Sequence, residues 1–537
     1  MIMYRLIILF CGLFSFIVGE ATVSIIPLPQ KCVERKGYFR LTPQTTIVIS
    51  DDTEDMRNAV SVWNDLFYTM AGSSLKVVTE EKLSDVISCK LTSHIKNEEG
   101  YQLDISSTKV QIKAKTSKGV FYAFQTLRQL LPPDIEGGVR AGQDEWNIPC
   151  VYIEDYPSFP YRGLMLDVSR HFVDKNDVKR YIDLLAFHKI NVFHWHLTDD
   201  QGWRIEIKKY PKLTEVGGFR NKTIKGFMWN NPTEWDTNRY GGFYTQEDVK
   251  EVLAYAKTRF VEVIPEIEMP GHCLAALAAY PEFSCSGGPF EVEGRWGVFN
   301  DIYCTKEATF HFLTDVLDEV MALFSSPYIH LGGDEAPRIR WRNCVHCQER
   351  MKQLNLAKEA ELQTYFMGRI EAYLNDKGKK IIGWDEILEG GVPQRAIVMS
   401  WRGENGGVRA AKAGYDVIMT PNTYMYFNCH QLDAEETIGI KKRLISLEKV
   451  YNYHPVPAEL TDKEATHIKG VQANLWTEYL TTSRDMDYLL YPRMAALSEV
   501  AWSNQKRKNY KNFCIRLDSI KKHYDRMGIF YCGKDKR

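Results

Sequence analysis

Short apolar segments recur at helix-length or longer intervals after Tyr161, and this rhythm constrains the fold of the 537-residue chain more than any other feature. Eight such segments are Gly163–Val168, Asn191–His196, Val261–Ile267, Tyr328–Leu331, Lys380–Gly383, Ala396–Trp401, Asp416–Thr420 and Ile468–Ala473. Between them, Asp174–Lys189, Glu247–Thr258 and Glu359–Asp376 have apolar residues at helical spacing. Strands that alternate with helices in this way predict a (β/α)8 TIM barrel with long loops.

The first part of the chain has a different, mixed pattern. The β-branched run Thr46–Ile49 and the alternating segment Val110–Ala114 predict strands. Lys118–Leu131 predicts an amphipathic helix that ends at two prolines. We therefore predict an α/β protein with a small α/β domain at 22–155, the barrel at 156–505 and a short C-terminal helical tail at 506–537.

The N-terminus has the pattern of an export signal. Leu6–Val18 is almost wholly apolar, follows one positive charge and precedes the small-x-small sequence Gly19-Glu20-Ala21. This predicts a secretory signal peptide at 1–21 and a periplasmic, cell-surface or secreted protein, or a lysosomal one in a eukaryote. No later run of about 18 apolar residues occurs, so we expect no stable membrane insertion.

Charge and cysteine content indicate which partners and cofactors the chain is expected to bind. Lys plus Arg (68) almost equals Asp plus Glu (69), which argues against nucleic acid as a partner. Cys344 and Cys347 form a C-x2-C pair, but no second such pair accompanies it, so a local disulfide or two plain thiols is favoured over zinc. Removing the leader with Cys11 leaves an odd number of cysteines, so at least one thiol stays free or pairs with another chain. We predict no metal and no cofactor.

Carboxylates and tryptophans gather at the ends of the predicted strands, where the active site of such a barrel lies. These strand-end residues are Asp167, Arg170, Asp199, Asp200, Glu266, Glu268, His272, Asp334, Glu335, Trp384, Asp385, Glu386, Trp401, Arg402, Trp476 and Glu478. Flat aromatic side chains suit the apolar faces of sugar rings. The distribution therefore favours an enzyme that acts on carbohydrate.

The sequence His330-Leu-Gly-Gly-Asp334-Glu335 ends the fourth predicted strand. Gly332 and Gly333 permit unusual backbone angles, so both carboxylates can face one cavity. Two acids this close cannot both ionise easily, and we expect one raised pKa and one low pKa, which separates an acid from a permanent anion. An Asp-Glu pair alone would equally suit a metal site or a solvated loop.

The hexapeptide resembles the signature of the β-N-acetylhexosaminidases of glycoside hydrolase family 20. The similarity spans nearly the whole mature chain, and its further segments are Lys118–Leu131, Arg162–Arg170, His194–Trp203, Pro265–His272, Gly383–Glu386, Ser400–Gly403 and Gln472–Glu478. The resemblance implies exo-acting, retaining hydrolysis of terminal N-acetylglucosamine or N-acetylgalactosamine from a glycan. The substrate's own acetamido oxygen would attack the anomeric carbon and form an oxazolinium intermediate.

The resemblance also implies the catalytic roles. Glu335 would protonate the leaving oxygen and later deprotonate water. Asp334 would hold the acetamido N–H and balance the developing positive charge. Tyr426 would hydrogen-bond the acetamido oxygen. Asp199 and His272 resemble a supporting pair that tunes the charge and orientation of the acid.

The sugar-binding residues are carried over from the same resemblance. Arg162 would bind ring hydroxyls and Glu478 the distal hydroxyls. The acetamido pocket would be walled by Trp384, Trp401 and Trp476. Asn428 departs from the family, which usually has Asp there; the lost charge-assisted bond costs on the order of 1–3 kcal/mol, enough to alter sugar preference without abolishing the chemistry.

Three alternatives stay open at this point. A related enzyme of the same fold could release a disaccharide such as lacto-N-biose from a roomier site. A catalytically silent glycan-binding protein would not require intact Asp334, Glu335 and Tyr426. A metal-dependent hydrolase would need a ligand set such as His-x3-His, which is not recognisable in the sequence. A homodimer is also compatible with the sequence.

Overall fold

A computed structural model describes residues 23–80, 84–137, 145–391, 395–432 and 436–533. The predicted signal peptide lies outside these ranges. Within them, no helix is both long enough and apolar enough to cross a membrane.

The N-terminal domain is built on one mixed seven-stranded sheet. Its strands are β1 (Lys31–Leu41), β2 (Thr46–Ile49), β3 (Lys76–Val78), β4 (Val86–Leu91), β5 (Tyr101–Ile105), β6 (Lys109–Ala114) and β7 (Trp146–Asp155). They lie in the order β1-β7-β5-β6-β4-β2-β3. The α/β domain predicted from the sequence is therefore present.

Two helices pack on this sheet, Glu54–Ala71 and Ser117–Leu130. The second was expected to have one apolar face, but it is buried at nearly every position. It lies between the first helix and the barrel: the ring of Phe124 is 5.2 Å from that of Trp63 on the first helix, and the ring of Tyr122 is 5.2 Å from that of Trp502 on a barrel helix. Contacts on both sides explain why its polar residues are also covered.

The second unit is a closed barrel of eight parallel strands. In chain order they are Tyr161–Asp167, Val192–His196, Glu262–Met269, Tyr328–Gly332, Lys380–Trp384, Ile397–Ser400, Val417–Met419 and Ile468–Leu475. The eighth strand pairs with the first and closes the barrel. All eight predicted segments are barrel strands, with bounds within two residues of those predicted, so the predicted fold is confirmed.

Helices surround the barrel and connect its strands. The main ones are Lys175–Phe187, Gln246–Thr258, Glu307–Leu323, Glu359–Asp376, Asn405–Lys412, Ser483–Leu490 and Arg493–Trp502. The first begins after Asp174, whose side chain accepts a hydrogen bond from the Asn176 N–H and so caps the helix. The tail contains the helix Tyr510–Arg526, which is tied to the N-terminal domain through a hydrogen bond from Arg516 Nη1 to the Ile25 carbonyl oxygen.

The barrel interior is apolar in its lower part and polar at its C-terminal end. Met165, Ile264, Ile382, Met399 and Ile418 belong to one buried cluster inside the strands. Trp384 and Trp476 belong to the same cluster and lie at the C-terminal ends of their strands. These apolar side chains pack the barrel interior beneath the strand-end residues.

Arg162 lies at the other end of the barrel, and its predicted role in sugar binding is wrong. It is the second residue of the first strand and is completely buried. Its Nη1 donates to Glu99 Oε2 at 2.7 Å, and its Nε donates to the Lys189 carbonyl oxygen at 2.8 Å. Glu99 comes from the N-terminal domain, so Arg162 joins the two domains beneath the barrel.

Candidate active site

The loop after the fourth strand turns sharply to bring both candidate catalytic carboxylates to one place. Gly332 and Gly333 have φ of 66° and 90°, and Glu335 itself has φ of 42°. A Cβ at Gly332 would lie 1.6 Å from Glu268 Oε2, so only glycine fits there. The expected use of the glycines is confirmed: Asp334 is buried, whereas 41% of the Glu335 side chain is exposed.

His272 connects this pair to a second pair of carboxylates. Its Nδ1 lies 3.1 Å from Asp199 Oδ1 and 3.0 Å from Asp200 Oδ2. Its Nε2 lies 3.7 Å from Asp334 Oδ2 and 3.6 Å from Glu335 Oε2. Burial opposes a charge on the ring, but Asp199 and the hydrogen bonds outweigh it and raise the pKa of His272 well above its usual value.

The two catalytic candidates have separated pKa values, but in an unexpected order. Burial raises the pKa of Asp334 to about 7; the charge of His272 opposes this shift and that of Glu335 adds to it. The contact with His272 lowers the pKa of Glu335, against the effect of burial. The higher pKa therefore belongs to Asp334, because the Asp334 side chain is 11% exposed and that of Glu335 is 41% exposed, so burial opposes ionisation of Asp334 more strongly.

Arg170 is the arginine of the first-strand motif that lies in the site. Its Nη2 donates to Asp199 Oδ2 at 2.7 Å, and its guanidinium carbon lies 4.9 Å from the centroid of the Trp476 ring. It follows the end of the first strand, whereas Arg162 lies near the start of the same strand. Position on the strand is the sequence signal that could have distinguished the two arginines.

Four aromatic side chains form a partial ring around the carboxylates. Trp384 and Trp476 have centroids 6.0 Å apart, and Tyr426 lies 6.2 Å from Trp476. Trp401 and Tyr426 stack at 6.0 Å with an angle of 15° between their planes. The structure thus brings the three predicted tryptophans and Tyr426 together. Burial raises the pKa of Tyr426 well above 10, so its hydroxyl is a donor at neutral pH.

Buried carboxylates that the sequence did not assign orient these tryptophans. Trp384 Nε1 donates to Glu266 Oε1 at 2.9 Å, and Trp401 Nε1 donates to Glu386 Oε2 at 2.8 Å. Glu266 also lies 2.9 Å from His194 Nε2 and accepts from His196. Glu266 on the third strand and Glu386 in the turn after the fifth strand therefore hold Trp384 and Trp401 in position.

Several buried polar atoms of the site lack a hydrogen-bond partner within the described ranges. They are Asp334 Oδ1, both carboxyl oxygens of Glu268, Asn428 Oδ1 and Glu478 Oε2. An unsatisfied buried polar atom costs about 1–3 kcal/mol, so native structures keep few of them. Their concentration here indicates a surface shaped for a polar ligand. Burial also raises the pKa of Glu478, although Arg170 opposes the shift.

A cavity of about 510 Å³ opens beside Glu478. Aromatic side chains line much of it, among them Phe227, Tyr240, Trp296 and Tyr479. Phe227 and Trp229 stack at 4.7 Å beside it, and Trp229 is 45% exposed. The cavity extends the site on the side of Glu478.

Comparison with known proteins agrees with this geometry. A β-hexosaminidase of Porphyromonas gingivalis is 45% identical over 514 residues, which cover 95% of this chain and 64% of the relative, so this chain spans less than two thirds of that protein. The structure of an exo β-N-acetylglucosaminidase from Vibrio harveyi in complex with N-acetylglucosamine matches with a TM-score of 0.84 and 33% identity, over 95% of this chain and 78% of that one.

A β-N-acetylhexosaminidase of Streptomyces coelicolor matches with a TM-score of 0.82 and 31% identity, over 96% of this chain and 98% of that one. Residues 22–156 match the description "Glycosyl hydrolase family 20, domain 2". Residues 159–505, more than half of the chain, match the catalytic domain of the same family. The chain therefore belongs to glycosyl hydrolase family 20.

Proposed function

We propose that the chain is an exo-acting, retaining β-N-acetylhexosaminidase that releases terminal N-acetylglucosamine or N-acetylgalactosamine from glycans. The observation that carries this proposal is Asp334 Oδ1, a buried carboxylate oxygen that has no hydrogen-bond partner among the residues that the structure describes. An amide N–H of the substrate would satisfy it. The neighbouring Tyr426 hydroxyl supplies a donor for the carbonyl oxygen of the same acetamide.

In the first step the acetamide acts as the nucleophile. Its carbonyl oxygen forms a bond to the anomeric carbon while the bond from that carbon to the leaving oxygen breaks. The Glu335 carboxyl group gives its proton to the leaving oxygen. Asp334 accepts the acetamide N–H and balances the positive charge of the oxazolinium ring.

Substrate binding also supplies the protonation state that this step needs. A sugar covers the exposed part of Glu335 and removes water from it, which raises its pKa. The acetamide N–H stabilises the charged form of Asp334 and lowers its pKa. Both shifts favour the protonation states that this step needs, a protonated Glu335 and a charged Asp334.

The second step returns the catalytic groups to their starting state. Glu335, now a carboxylate, takes a proton from water, and the water oxygen attacks the anomeric carbon. The bond between that carbon and the acetamide oxygen breaks, so the configuration is retained after two inversions. Arg170, Glu478 and Asn428 would bind ring hydroxyls and hold the sugar through both steps.

A disaccharide-releasing enzyme of the same fold is the second candidate. The cavity beside Glu478 favours it, because a roomier site is what a lacto-N-biosidase requires. Hydrolysis of matched aryl β-glycosides of N-acetylglucosamine, N-acetylgalactosamine and lacto-N-biose, without added metal, separates the two. We expect the monosaccharide glycosides to be cleaved faster. Cleavage of the lacto-N-biose glycoside and of neither monosaccharide glycoside would favour the second candidate. Binding of the glycosides without cleavage would indicate a catalytically silent glycan-binding protein.

We also propose that the protein is exported and that residues 1–21 are removed. The apolar run Leu6–Val18 and the small-x-small sequence after it support this proposal. N-terminal sequencing of the protein from its native cells should begin at or near residue 22. A cytosolic protein that retains Met1 would contradict it.

A further inference from the structure

Four cysteines meet where two long loops of the barrel cross. Cys285 and Cys304 come from the loop that follows the third strand. Cys344 and Cys347 come from the loop that follows the fourth strand; Cys344 caps the helix Val345–Gln353, and Cys347 lies in its first turn. Three of the four are buried, and Cys285 is half-buried.

The spacing of the four sulfur atoms is that of a metal site. Cys285 Sγ lies 3.7 Å from Cys347 Sγ, and Cys304 Sγ lies 3.6 Å from Cys347 Sγ and 3.7 Å from Cys344 Sγ. All four sulfur atoms lie within 4.8 Å of one another. Four thiolates around Zn²⁺, with bonds of about 2.3 Å, place neighbouring sulfur atoms about 3.8 Å apart.

The same distances do not fit disulfides. A disulfide requires about 2.05 Å between its sulfur atoms. In addition, Cys347 and Cys304 each approach two other sulfur atoms rather than one. Two separate disulfides would give each sulfur atom one near neighbour. The observed arrangement instead fits four sulfur ligands around one metal ion.

We propose that Cys285, Cys304, Cys344 and Cys347 bind one structural Zn²⁺ ion as four thiolates. Soft sulfur ligands in a tetrahedral set select zinc over the hard cations calcium and magnesium. Four protein ligands leave no open position for water or substrate, so the site is structural and not catalytic. Within the C-x2-C pair, His346 is exposed and takes no part.

The ion would stabilise the two loops that carry the candidate active site. The first loop contains His272 near its start, and the second contains Asp334 and Glu335 near its start. Beside the cluster, Trp341 Nε1 donates to the Tyr303 carbonyl oxygen at 2.8 Å, and the Tyr303 N–H donates to the Pro270 carbonyl oxygen at 3.0 Å. A zinc ion would add coordinate bonds between the same two loops, through Cys304 and Cys344. Its role is independent of which sugar the site accepts.

The test begins with the full wild-type chain, purified without chelators or metal-affinity resin. Elemental analysis should find one zinc per chain, and the intact mass of the denatured, unreduced protein should correspond to four free thiols in the cluster. Absence of zinc, or iron in its place, would overturn the proposal. A mass lower by four hydrogens, which indicates two disulfides, would also overturn it. None of these measurements depends on whether a variant folds.

Variants then locate the zinc. Cys347→Ser and Cys304→Ser should each contain about tenfold less zinc than the wild type and should melt at a lower temperature, because each removes one of four ligands. Cys514→Ser is the matched control: Cys514 is half-buried on the C-terminal helix, and its variant should retain the full zinc content. Zinc retained by the Cys347 and Cys304 variants would place the ion elsewhere and overturn the proposal.

Discussion

Two buried arginines at opposite ends of the first barrel strand have different environments. Arg162, at the base, is paired with Glu99 and with a backbone carbonyl oxygen. Next to it, Lys189 Nζ lies 2.9 Å from Asp155 Oδ2, and Trp502 Nε1 donates to Asp155 Oδ1 at 2.8 Å. Each of these charges at the base of the barrel has an opposite charge within the protein.

Arg170, at the rim, is paired with Asp199, but the groups around it are not all satisfied. Within the described ranges, Asp334 Oδ1, Glu478 Oε2 and both oxygens of Glu268 have no partner. A protein tolerates such atoms where a ligand completes the network. The base of the barrel therefore stabilises the fold, and the rim retains polar atoms that a substrate can satisfy.

The largest expected effect is on activity at the rim. Glu335→Gln should lower kcat for chitobiose by about 10²–10⁴-fold, because it removes the proton donor for a poor leaving group. The melting temperature should fall only slightly at neutral pH, since the Glu335 side chain is 41% exposed and its ionisation adds little to the stability of the fold. A nitrophenyl glycoside, whose leaving group needs less protonation, is the control substrate and should lose less. Undiminished turnover of chitobiose would contradict the role of Glu335.

At the base, the effect should be on stability instead. Arg162→Met should cost about 3–5 kcal/mol in unfolding free energy, because it leaves Glu99 buried without its arginine. Activity per folded molecule should be unchanged. Arg526→Met is the control: Arg526 is 47% exposed and pairs with Asp134 at 2.8 Å, so its loss should cost less than about 1 kcal/mol. An Arg162 variant that keeps its stability but binds sugar poorly would show that Arg162 acts in sugar binding and does not stabilise the base of the barrel.

Asp334 should destabilise the fold above acidic pH. Its pKa of about 7 in the folded protein lies above the unfolded value of about 3.9, so both states are protonated below pH 4. Between pH 4 and 7 the unfolded chain releases this proton, whereas the folded protein keeps it, so the folded state loses stability relative to the unfolded state. The wild type should therefore lose about 2–4 kcal/mol of unfolding free energy relative to Asp334→Asn. Urea unfolding at pH 4 and pH 7 measures this difference.

The matched control for this pH dependence is Glu335→Gln. The pKa of Glu335 is lowered in the folded protein, so its ionisation favours folding and the variant should lose stability relative to the wild type as pH rises. A difference between Asp334→Asn and wild type that does not change with pH would show that Asp334 is not strained by burial. Bound N-acetylglucosamine should reduce the difference at pH 7.

The smallest expected effect is on sugar preference. Asn428→Asp restores a carboxylate at a buried position and should change the ratio of kcat/KM for N-acetylglucosaminides and N-acetylgalactosaminides by about 5–150-fold, equivalent to 1–3 kcal/mol. Asn428→Ala is the control that removes the amide without adding charge. An unchanged ratio in the Asp variant would place the determinant of preference elsewhere, with Glu478 as the next candidate.

Local patterns predicted much of the fold and the centre of the site. Each barrel strand is a short, mostly buried run that can be recognised from neighbouring positions alone, although several of these strands also contain buried His or Glu residues. Gly332 and Gly333 are required by the backbone of their own loop. Asp334, Glu335 and Tyr426 were identified from motifs that are continuous in the chain.

The errors occurred where position within an element or a distant partner decides the outcome. Arg162 and Arg170 belong to the same motif, and only their places at opposite ends of one strand assign one to the base and the other to the rim. The order of the pKa values depends on His272, which is 62 positions before Asp334 in the chain and comes from another strand. Cys285 and Cys304 have no C-x2-C spacing, so the sequence alone did not join them to Cys344 and Cys347.

By itself, the sequence determined the alternation of strands and helices, the family and the residue types that gather at the strand ends. These properties follow from short-range spacing, because apolar residues that recur at the period of a strand or a helix predict that element from neighbouring positions alone. The tertiary structure alone decided which arginine lies at the C-terminal rim of the barrel, which carboxylate is harder to ionise and which four cysteines meet. Those outcomes depend on burial and on charges brought together through space, and neither is encoded in the spacing of residues along one segment.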